Sequence, residues 1–451
     1  LKKILVVDMT HGGTVIASEL SKRTNTKVLA WDLYHTLNGA GKDSLRDNGI
    51  ELVGDDFMHS HQDDEFMVVA PVHCQLNIPA KMTHHQAVRL ILEDEIKVPI
   101  IEVTGVKGKS STVAILKEIY RHYNPLILSS LGVEAVEGDK TTILRKDISI
   151  TPASIITAWS LAIEAQFRPG MCIFETSLGG TGLAEVGVLT NLAEDYLIAG
   201  DSLRASQAKK QIFQSKMVAC HLESFHSIYS SNEGFKNKTN TFSMDSEANV
   251  TTSQVEYGIH ETSFNLEIKN LKNISGELVN TSIPVKTFAP GPHHLENVLS
   301  ALCAAYTMGT SENDILAGLK SFKGIKGRSS ILESGNVRIV QEVNPGINLT
   351  AIKKSVTMMV HYGNMALVLG GQYGVTCEEI DENALATFLD ELPEDITLIL
   401  TDELGKSLDN KINRVKLYIK HLDDAVSLAR DLNVANVLLI YRSHFASLEK
   451  R

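Results

Sequence analysis

The sequence predicts an α/β protein built from three domains, and three observations carry that expectation. Short apolar runs alternate with helical patterns at both ends of the chain. Between them an apolar run leads through Thr104-Gly105-Val106-Lys107-Gly108-Lys109-Ser110-Ser111 into a helical pattern from Thr112. A length of 451 residues suits about three domains.

The first element is a βαβ unit. Apolar runs at 3–8 and 27–32 flank a helical pattern from Thr14 to Arg23, and a third run, Met67 to Ala70, follows. Residues 1–95 therefore read as a small doubly wound α/β domain. The opening residues, basic then apolar, meet Asp8 too soon for a signal peptide and read as a first strand. The turn His11-Gly12-Gly13 lacks the dinucleotide pattern G-x-G-x-x-G. At a helix N-terminus it is expected to receive a carboxylate of a ligand. Seven of the sixteen histidines fall in this domain: His11, His35, His59, His61, His73, His84 and His85. Their spacing matches no structural zinc motif, and proximity to a polycarboxylate or metallated ligand is the livelier reading.

The second domain, 96–325, opens with Val98-Pro99-Ile100-Ile101 as a strand. In the loop that follows, glycines let backbone N–H groups point at phosphate oxygens without side-chain clash. Lys109 would set its ammonium between outer phosphates, and Ser110 would offer its hydroxyl to Mg²⁺. Val103 stands where the commoner pattern has its first glycine, giving the shorter form T-G-x-x-G-K-S. A plain turn of small residues is the bland alternative; the strand and helix on either side favour a phosphate loop, and ATP is the expected ligand. Strands are expected near 171–175 and 186–190. Glu175, ending the first, stands where a nucleotide's Mg²⁺ needs an anionic ligand, although alone it would read as a solvated strand-end glutamate. Thr190-Asn191, Asp195-Tyr196-Leu197 and the helical Gln207-Ala208-Lys209-Lys210 read, unaided, as loop polar residues and surface lysines. Residues 226–290 alternate polar and apolar between Ser/Asn/Gly clusters and suggest an antiparallel insertion. The segment from Pro290 to Asn297 leads into a helix over about 294–308. Its adjacent His293 and His294 diverge by about 100° on a helix, which argues against a shared metal ion. Asn297 can either contact a base edge or cap the helix.

The third domain, 326–451, follows a hinge-like stretch of glycines and cations, Phe322 to Arg328. Apolar runs at 337–340, 366–369, 397–400, 415–419 and 436–441 alternate with helical stretches, the pattern of a mostly parallel sheet. A formal net charge of −11 argues against non-specific nucleic-acid binding. Five scattered cysteines (Cys74, Cys172, Cys220, Cys303, Cys377) read as reduced thiols of the cytoplasm. No apolar run approaches the ~18 residues of a membrane span.

In order and spacing these motifs resemble the Mur ligase family, nearly from end to end. The family's T-G-T-x-G-K-[ST] resembles Thr104 to Ser110, with Val106 in place of a threonine. The resemblance implies three domains, a central P-loop ATPase flanked by two Rossmann-like α/β domains, the last closing over ATP. It implies Mg²⁺ on Ser110 and Glu175, with Lys209 of Ala208-Lys209 carbamylated as a further metal ligand. It implies an adenine contact from Asn297 of Gly291-Pro292-His293-His294-Leu295-Glu296-Asn297, and an ATP contact from Arg328 of Gly327-Arg328. Two departures stand out. Tyr196 replaces the histidine of T-N-x-x-x-D-H-L in Thr190 to Leu197, and Gln341-Glu342-Val343-Asn344-Pro345-Gly346 replaces D-Y-A-H-x-P.

Asp8-Met9-Thr10-His11-Gly12-Gly13, Glu175-Thr176-Ser177-Leu178-Gly179-Gly180, Asp195-Tyr196-Leu197 and the altered third domain resemble one branch of that family. That resemblance implies a nickel seco-tetrapyrrole substrate, whose propionate is phosphorylated and then attacked by a carbon of the same macrocycle. Lys109 and Arg328 would then stabilise phosphoryl transfer. Glu342 is either a base for the attacking carbon or a plain polar loop residue. An amide ligase and a nucleotide-gated nickel-tetrapyrrole carrier stay open as alternatives, as do a monomer and a homodimer.

Overall fold

The apolar runs at the start of the chain become strands because both faces of a parallel sheet are covered, which suits unbroken Val, Leu and Ile. In the computed structural model Lys3–Val7 lies between Val28–Trp31 and Phe66–Ala70, all parallel. Glu51–Val53 and Met82–Thr83 complete a five-stranded sheet on its two edges. The chain steps outward from Lys3–Val7 to Glu51–Val53, then crosses to the other side at Phe66–Ala70. That crossing is a topological switch point, where parallel sheets open a crevice at their carboxyl ends. The structure describes residues 3–23, 26–57, 65–77, 79–193, 195–199, 202–373 and 380–443; His59, His61, Glu194 and Cys377 lie outside them.

A second sheet of eleven strands follows. Its parallel centre runs Val250–Glu256, Thr239–Phe242, Met217–His221, Val186–Leu189, Ile100–Thr104, Met171–Glu175 and Pro125–Ser129. Gly132–Glu137 and Lys140–Arg145 extend one side antiparallel, and Thr262–Lys272 pairs antiparallel with Val250–Glu256 on the other. The antiparallel insertion therefore begins later than the sequence suggested. Thr239–Phe242 is parallel, and helical turns occupy Leu222–Ser224, Phe225–Tyr229 and Glu233–Lys236. Alternation signals a strand but carries no direction.

One hydrophobic cluster serves both sheets. Ile16, Leu20, Val88 and Ile91 from the first segment pack with Leu126, Ile155, Ile156 and Phe174 from the second. Accordingly Leu1–Glu256, Ser263–Lys286 and Glu296–Phe322 form one compact unit. Tyr257–Thr262, Thr287–Leu295 and Lys323–Arg451 form another. The latter holds a six-stranded sheet, in the order Arg328–Ser334, Val337–Val343, Asn436–Arg442, Met365–Gly371, Thr397–Thr401, Leu417–Ile419. It is parallel except for the first pair. Each face of that sheet has its own core, around Leu367, Leu369 and Leu438 on one side and Ala366, Val368 and Tyr441 on the other. Among the described residues no helix is long and apolar enough to cross a membrane.

Candidate active site

The phosphate-loop segment leaves the centre of the large sheet. Ile100–Thr104 is fully buried between Met171–Glu175 and Val186–Leu189. Gly105 (φ 145°) and Gly108 (φ 84°) take conformations that side chains disfavour. Gly108 turns the chain straight into the helix Lys109–Ile119, which therefore starts three residues before the expected Thr112. A Cβ at Gly105 would collide with Thr190 Oγ1, and one at Gly108 with Asn297 Oδ1.

Thr190 and Asn191 brace this loop. Thr190 Oγ1 donates to the Lys107 carbonyl at 2.6 Å, and the Asn191 carbonyl accepts from Val106 N–H at 2.9 Å. Asn191 Oδ1 accepts from Lys107 N–H at 3.3 Å. Lys109 Nζ lies back over the loop, 3.3 Å from the Gly105 carbonyl and 3.4 Å from that of Val106. Ser110 Oγ is 2.9 Å from Ser130 Oγ, and Ser130 N–H donates to Glu175 Oε2 at 3.0 Å. Ser130 thus joins the helix hydroxyl to the strand-end carboxylate. Sequence reading passed it over, since a serine after a strand carries no mark of its own. A hydroxyl and a carboxylate converging at the head of a phosphate loop are hard oxygen donors, a set that fits Mg²⁺.

Lys209 ends the helix Ala205–Lys209 and is only 1 % exposed. Burial, reinforced by the charge of Lys109, pulls its amine down to about 7, against the opposing pull of Asp195. Asp195 is fixed by accepting from Ser206 N–H (2.8 Å) and Ser206 Oγ–H (2.7 Å). The adjacent Lys210 instead extends over the ring of Phe235 at 5.6 Å. The environment distinguishes two lysines that spacing could not. Tyr196, at the departure from the histidine pattern, is 45 % exposed.

Two buried titratable groups lie near these strands, Glu102, which sequence reading passed over, and His85, which it named only among the histidines of the first domain. Glu102, inside Ile100–Thr104, accepts from Thr181 N–H at 2.9 Å and contacts Thr181 Oγ1. Burial pushes its carboxyl up to about 7. A lone glutamate within an apolar run was the available signal. His85 donates from Nε2 to the Ser177 carbonyl at 3.0 Å, and its Nδ1 faces Gln211 Nε2 at 3.2 Å. Burial pulls its imidazole down to about 4. His85 sits in the helix His84–Leu92, started by a capping box of Thr83 and Gln86, a device worth about 1 kcal/mol.

At the His11-Gly12-Gly13 turn two neighbouring N–H groups are already engaged. Its Thr10 and His11 N–H groups already donate to the buried Asp8 side chain, and a Cβ at Gly12 would strike Ala153. An external carboxylate therefore does not find these donors free.

In the C-terminal unit Arg328 and Glu342 are register partners across the antiparallel pair. Donor atoms of Glu342, His293 and His294 lie within 4.8 Å of one another, and the two imidazole centroids are 3.8 Å apart. The divergence expected of adjacent histidines fails here, because it applies to Cβ directions and the rings swing back toward each other. Arg442, 2 % exposed, donates from Nε to the Pro345 carbonyl at 3.2 Å and was also passed over. Lys109, Ser110, Glu175, Lys209 and Asn297 thus belong to the first unit, and Arg328 and Glu342 to the second.

Residues 103–305 match the family profile described as Mur ligase middle domain. Residues 331–444 match the profile described as Coenzyme F430 synthetase CfbE, C-terminal domain. Two stretches of the chain are thus similar to two domain families, the Mur ligase middle domain and the C-terminal domain of coenzyme F430 synthetase. Its relatives include proteins named coenzyme F(430) synthetase. That of Methanosarcina acetivorans is 29 % identical over 86 % of this chain and 88 % of its own length. That of Methanocaldococcus jannaschii is 28 % identical over 93 % and 95 %. The Mur fold is matched by the MurF ligase of Thermotoga maritima, solved in complex with ADP (TM-score 0.58, 14 % identity, covering 100 % of this chain and 96 % of that one). The stretch matched by the Mur ligase middle-domain profile holds Thr104 to Ser111, Glu175, Lys209 and Asn297, whereas Glu342 and Arg442 fall in the C-terminal match.

Proposed function

We propose that this Mur-type protein makes coenzyme F430 by closing a carbocyclic ring on a nickel seco-tetrapyrrole, using ATP to activate a propionate carboxylate. Its class is that of the ATP-dependent ligases. One observation carries the reading: Ser110 and Glu175 meet at Ser130 directly beside the Gly105–Lys109 loop. The choice of substrate leans on the C-terminal match at 331–444 and on the names of the relatives.

A free carboxylate resists carbon nucleophiles because attack would have to expel oxide. Moving the γ-phosphoryl group of ATP onto one carboxylate oxygen releases ADP and leaves an acyl phosphate. A carbon of the same macrocycle then gives up a proton and attacks the acyl carbon, so that phosphate departs and a ring ketone remains. The loop N–H groups and Lys109 would hold the phosphates and neutralise charge as it develops, joined by Arg328. Bound at Ser110 and Glu175, Mg²⁺ would supply Lewis-acid charge to the phosphoryl oxygens. Lys209, its amine partly neutral near pH 7, is suited to carbamylation and so to anionic metal ligation. Asn297, lying against Gly108, is suited to an adenine contact. Glu342 is assigned the proton from the attacking carbon. An internal nucleophile needs orientation rather than a second substrate site, which accords with the lost D-Y-A-H-x-P sequence.

The test supplies purified protein with the nickel seco precursor, ATP and Mg²⁺. One ADP per cyclised product, without added amine, supports the proposal. Strict dependence on an amine would make the protein an amide ligase, and tight precursor binding without ADP would make it a carrier. Lys109→Ala is expected to lower ADP release at least about 100-fold.

A further inference from the structure

The first sheet carries a second constellation that the ligase chemistry leaves unused. Asp8 follows strand Lys3–Val7, and His73 and Cys74 follow its parallel neighbour Phe66–Ala70. They therefore flank the switch point of this sheet at its carboxyl edge, the customary place for a ligand in such folds. Asp8 is fully buried and held at φ 69°, a left-handed backbone unusual for a side-chain-bearing residue. Its Oδ1 is occupied by Thr10 and His11 N–H groups, which leaves Oδ2 facing the crevice side chains.

Three side chains converge on that oxygen. His11 Nδ1 lies 2.6 Å away, a hydrogen bond. His73 Nε2 stands at 3.6 Å and Cys74 Sγ at 3.9 Å. The His73 separation is too long for a good hydrogen bond. Among the described residues its buried Nε2 has no hydrogen-bond partner. Separations of this size are those of donors sharing one ion. Tetrahedral geometry with bonds of about 2.0–2.1 Å to O and N and 2.3 Å to S sets O···N near about 3.3 Å and O···S near about 3.6 Å.

We propose that Asp8 Oδ2, His73 Nε2 and Cys74 Sγ form a site for a borderline divalent transition-metal ion such as Zn²⁺, Ni²⁺ or Co²⁺. Imidazole and thiolate select such ions over Mg²⁺ and Ca²⁺. Three donors leave a fourth position open. His11 donates to the ligating carboxylate and holds its orientation, the part that outer hydrogen bonds play in metal sites. The ion is a free one: nickel enclosed in a macrocycle offers a single axial position per face, which three donors clustered within 4.8 Å cannot all occupy. Its positive charge also compensates a carboxylate withdrawn from water.

Full-length protein, stripped with chelator, is dialysed against Co²⁺, Ni²⁺ or Zn²⁺ and its retained metal measured. One equivalent is expected, with a thiolate-to-cobalt charge-transfer band in the Co²⁺ form and a raised melting temperature. Cys74→Ser removes the band, and His73→Ala weakens retention at least about tenfold, while Cys172→Ser, altering a core strand, leaves both intact. Circular dichroism shows whether each variant folds, and the two substitutions check each other. Lys109→Ala retains the ion fully, so a failed ligase assay and a failed metal assay are separate results. No retained ion, a cobalt form without the thiolate band, or wild-type retention in both Cys74→Ser and His73→Ala overturns the proposal.

Discussion

At the scale of single residues, burial gives two side chains opposite fates. Lys209 is pulled from its ordinary 10.5 to about 7, so between those values the unfolded chain binds more protons than the folded one. Stability from this group therefore rises with pH across that window, and near pH 7 a large share of the amine is neutral and open to CO₂. Removing CO₂ and bicarbonate is expected to slow the wild-type ligase severalfold, and bicarbonate is expected to restore it. Lys209→Ala loses activity that bicarbonate does not restore, whereas Lys210→Ala, whose side chain lies over Phe235, keeps both rate and response. Steady-state ADP release reads each case. Glu102 shifts the other way, from 4.5 to about 7. The unfolded carboxyl ionises first, so stability falls as pH rises from 4.5 to 7, and that loss is complete above 7. Glu102→Gln is expected to be close to neutral near pH 4.5 and stabilising by on the order of 3 kcal/mol at pH 8. Urea unfolding at the two pH values measures it; an equal effect at both would show that the carboxyl never resisted ionisation.

At the scale of elements, the loop and its helix depend on backbone conformation more than on side chains. Gly108→Ala adds a Cβ where φ is 84° and where Asn297 Oδ1 already stands. ATP affinity is expected to fall at least about tenfold, since backbone strain costs of order 1–3 kcal/mol. Adding Asn297→Ala relieves the clash but neither the strain nor the loss of the proposed adenine contact, so the double variant is not expected to regain ATP affinity; calorimetric titration with a non-hydrolysable ATP analogue measures this. Such local requirements are what a sequence displays best. Glycines at fixed offsets announced Thr104 to Ser111, and unbroken apolar runs announced strands such as Met171–Glu175 and Met365–Gly371. Strand Arg328–Ser334 went unseen because Arg-Ser-Ser-Ile-Leu-Glu-Ser shows too little apolar alternation. Thr239–Phe242 was seen as a strand, yet its direction is decided by neighbours distant in sequence. Ser130 at Glu175, His85 at Ser177 and His73 at Asp8 unite separate strand ends or loops. No window of sequence contains such a pair. Lys209 was visible as a candidate, but its distinction from Lys210 lies wholly in burial.

At the scale of the whole molecule, the two units have separate cores and should unfold as separable transitions. The chain offers a convenient reporter, because both tryptophans, Trp31 and Trp159, belong to the first unit. Tryptophan fluorescence therefore follows that unit alone, whereas far-ultraviolet circular dichroism follows both. A non-hydrolysable ATP analogue at about 100 times its Kd stabilises whatever binds it by about 2.7 kcal/mol. The fluorescence transition is expected to shift upward, because Lys109, Ser110, Glu175 and Asn297 all lie in the unit it reports. The dichroism transition of the second unit discriminates further. If Arg328 contacts the nucleotide, part of the binding energy is lost when the second unit unfolds, so its transition rises as well. The expected result is that both transitions rise in the wild type and that Arg328→Ala confines the rise to the fluorescence transition. A second transition that ignores the analogue in the wild type would remove Arg328 from the nucleotide site and leave phosphoryl transfer to the first unit.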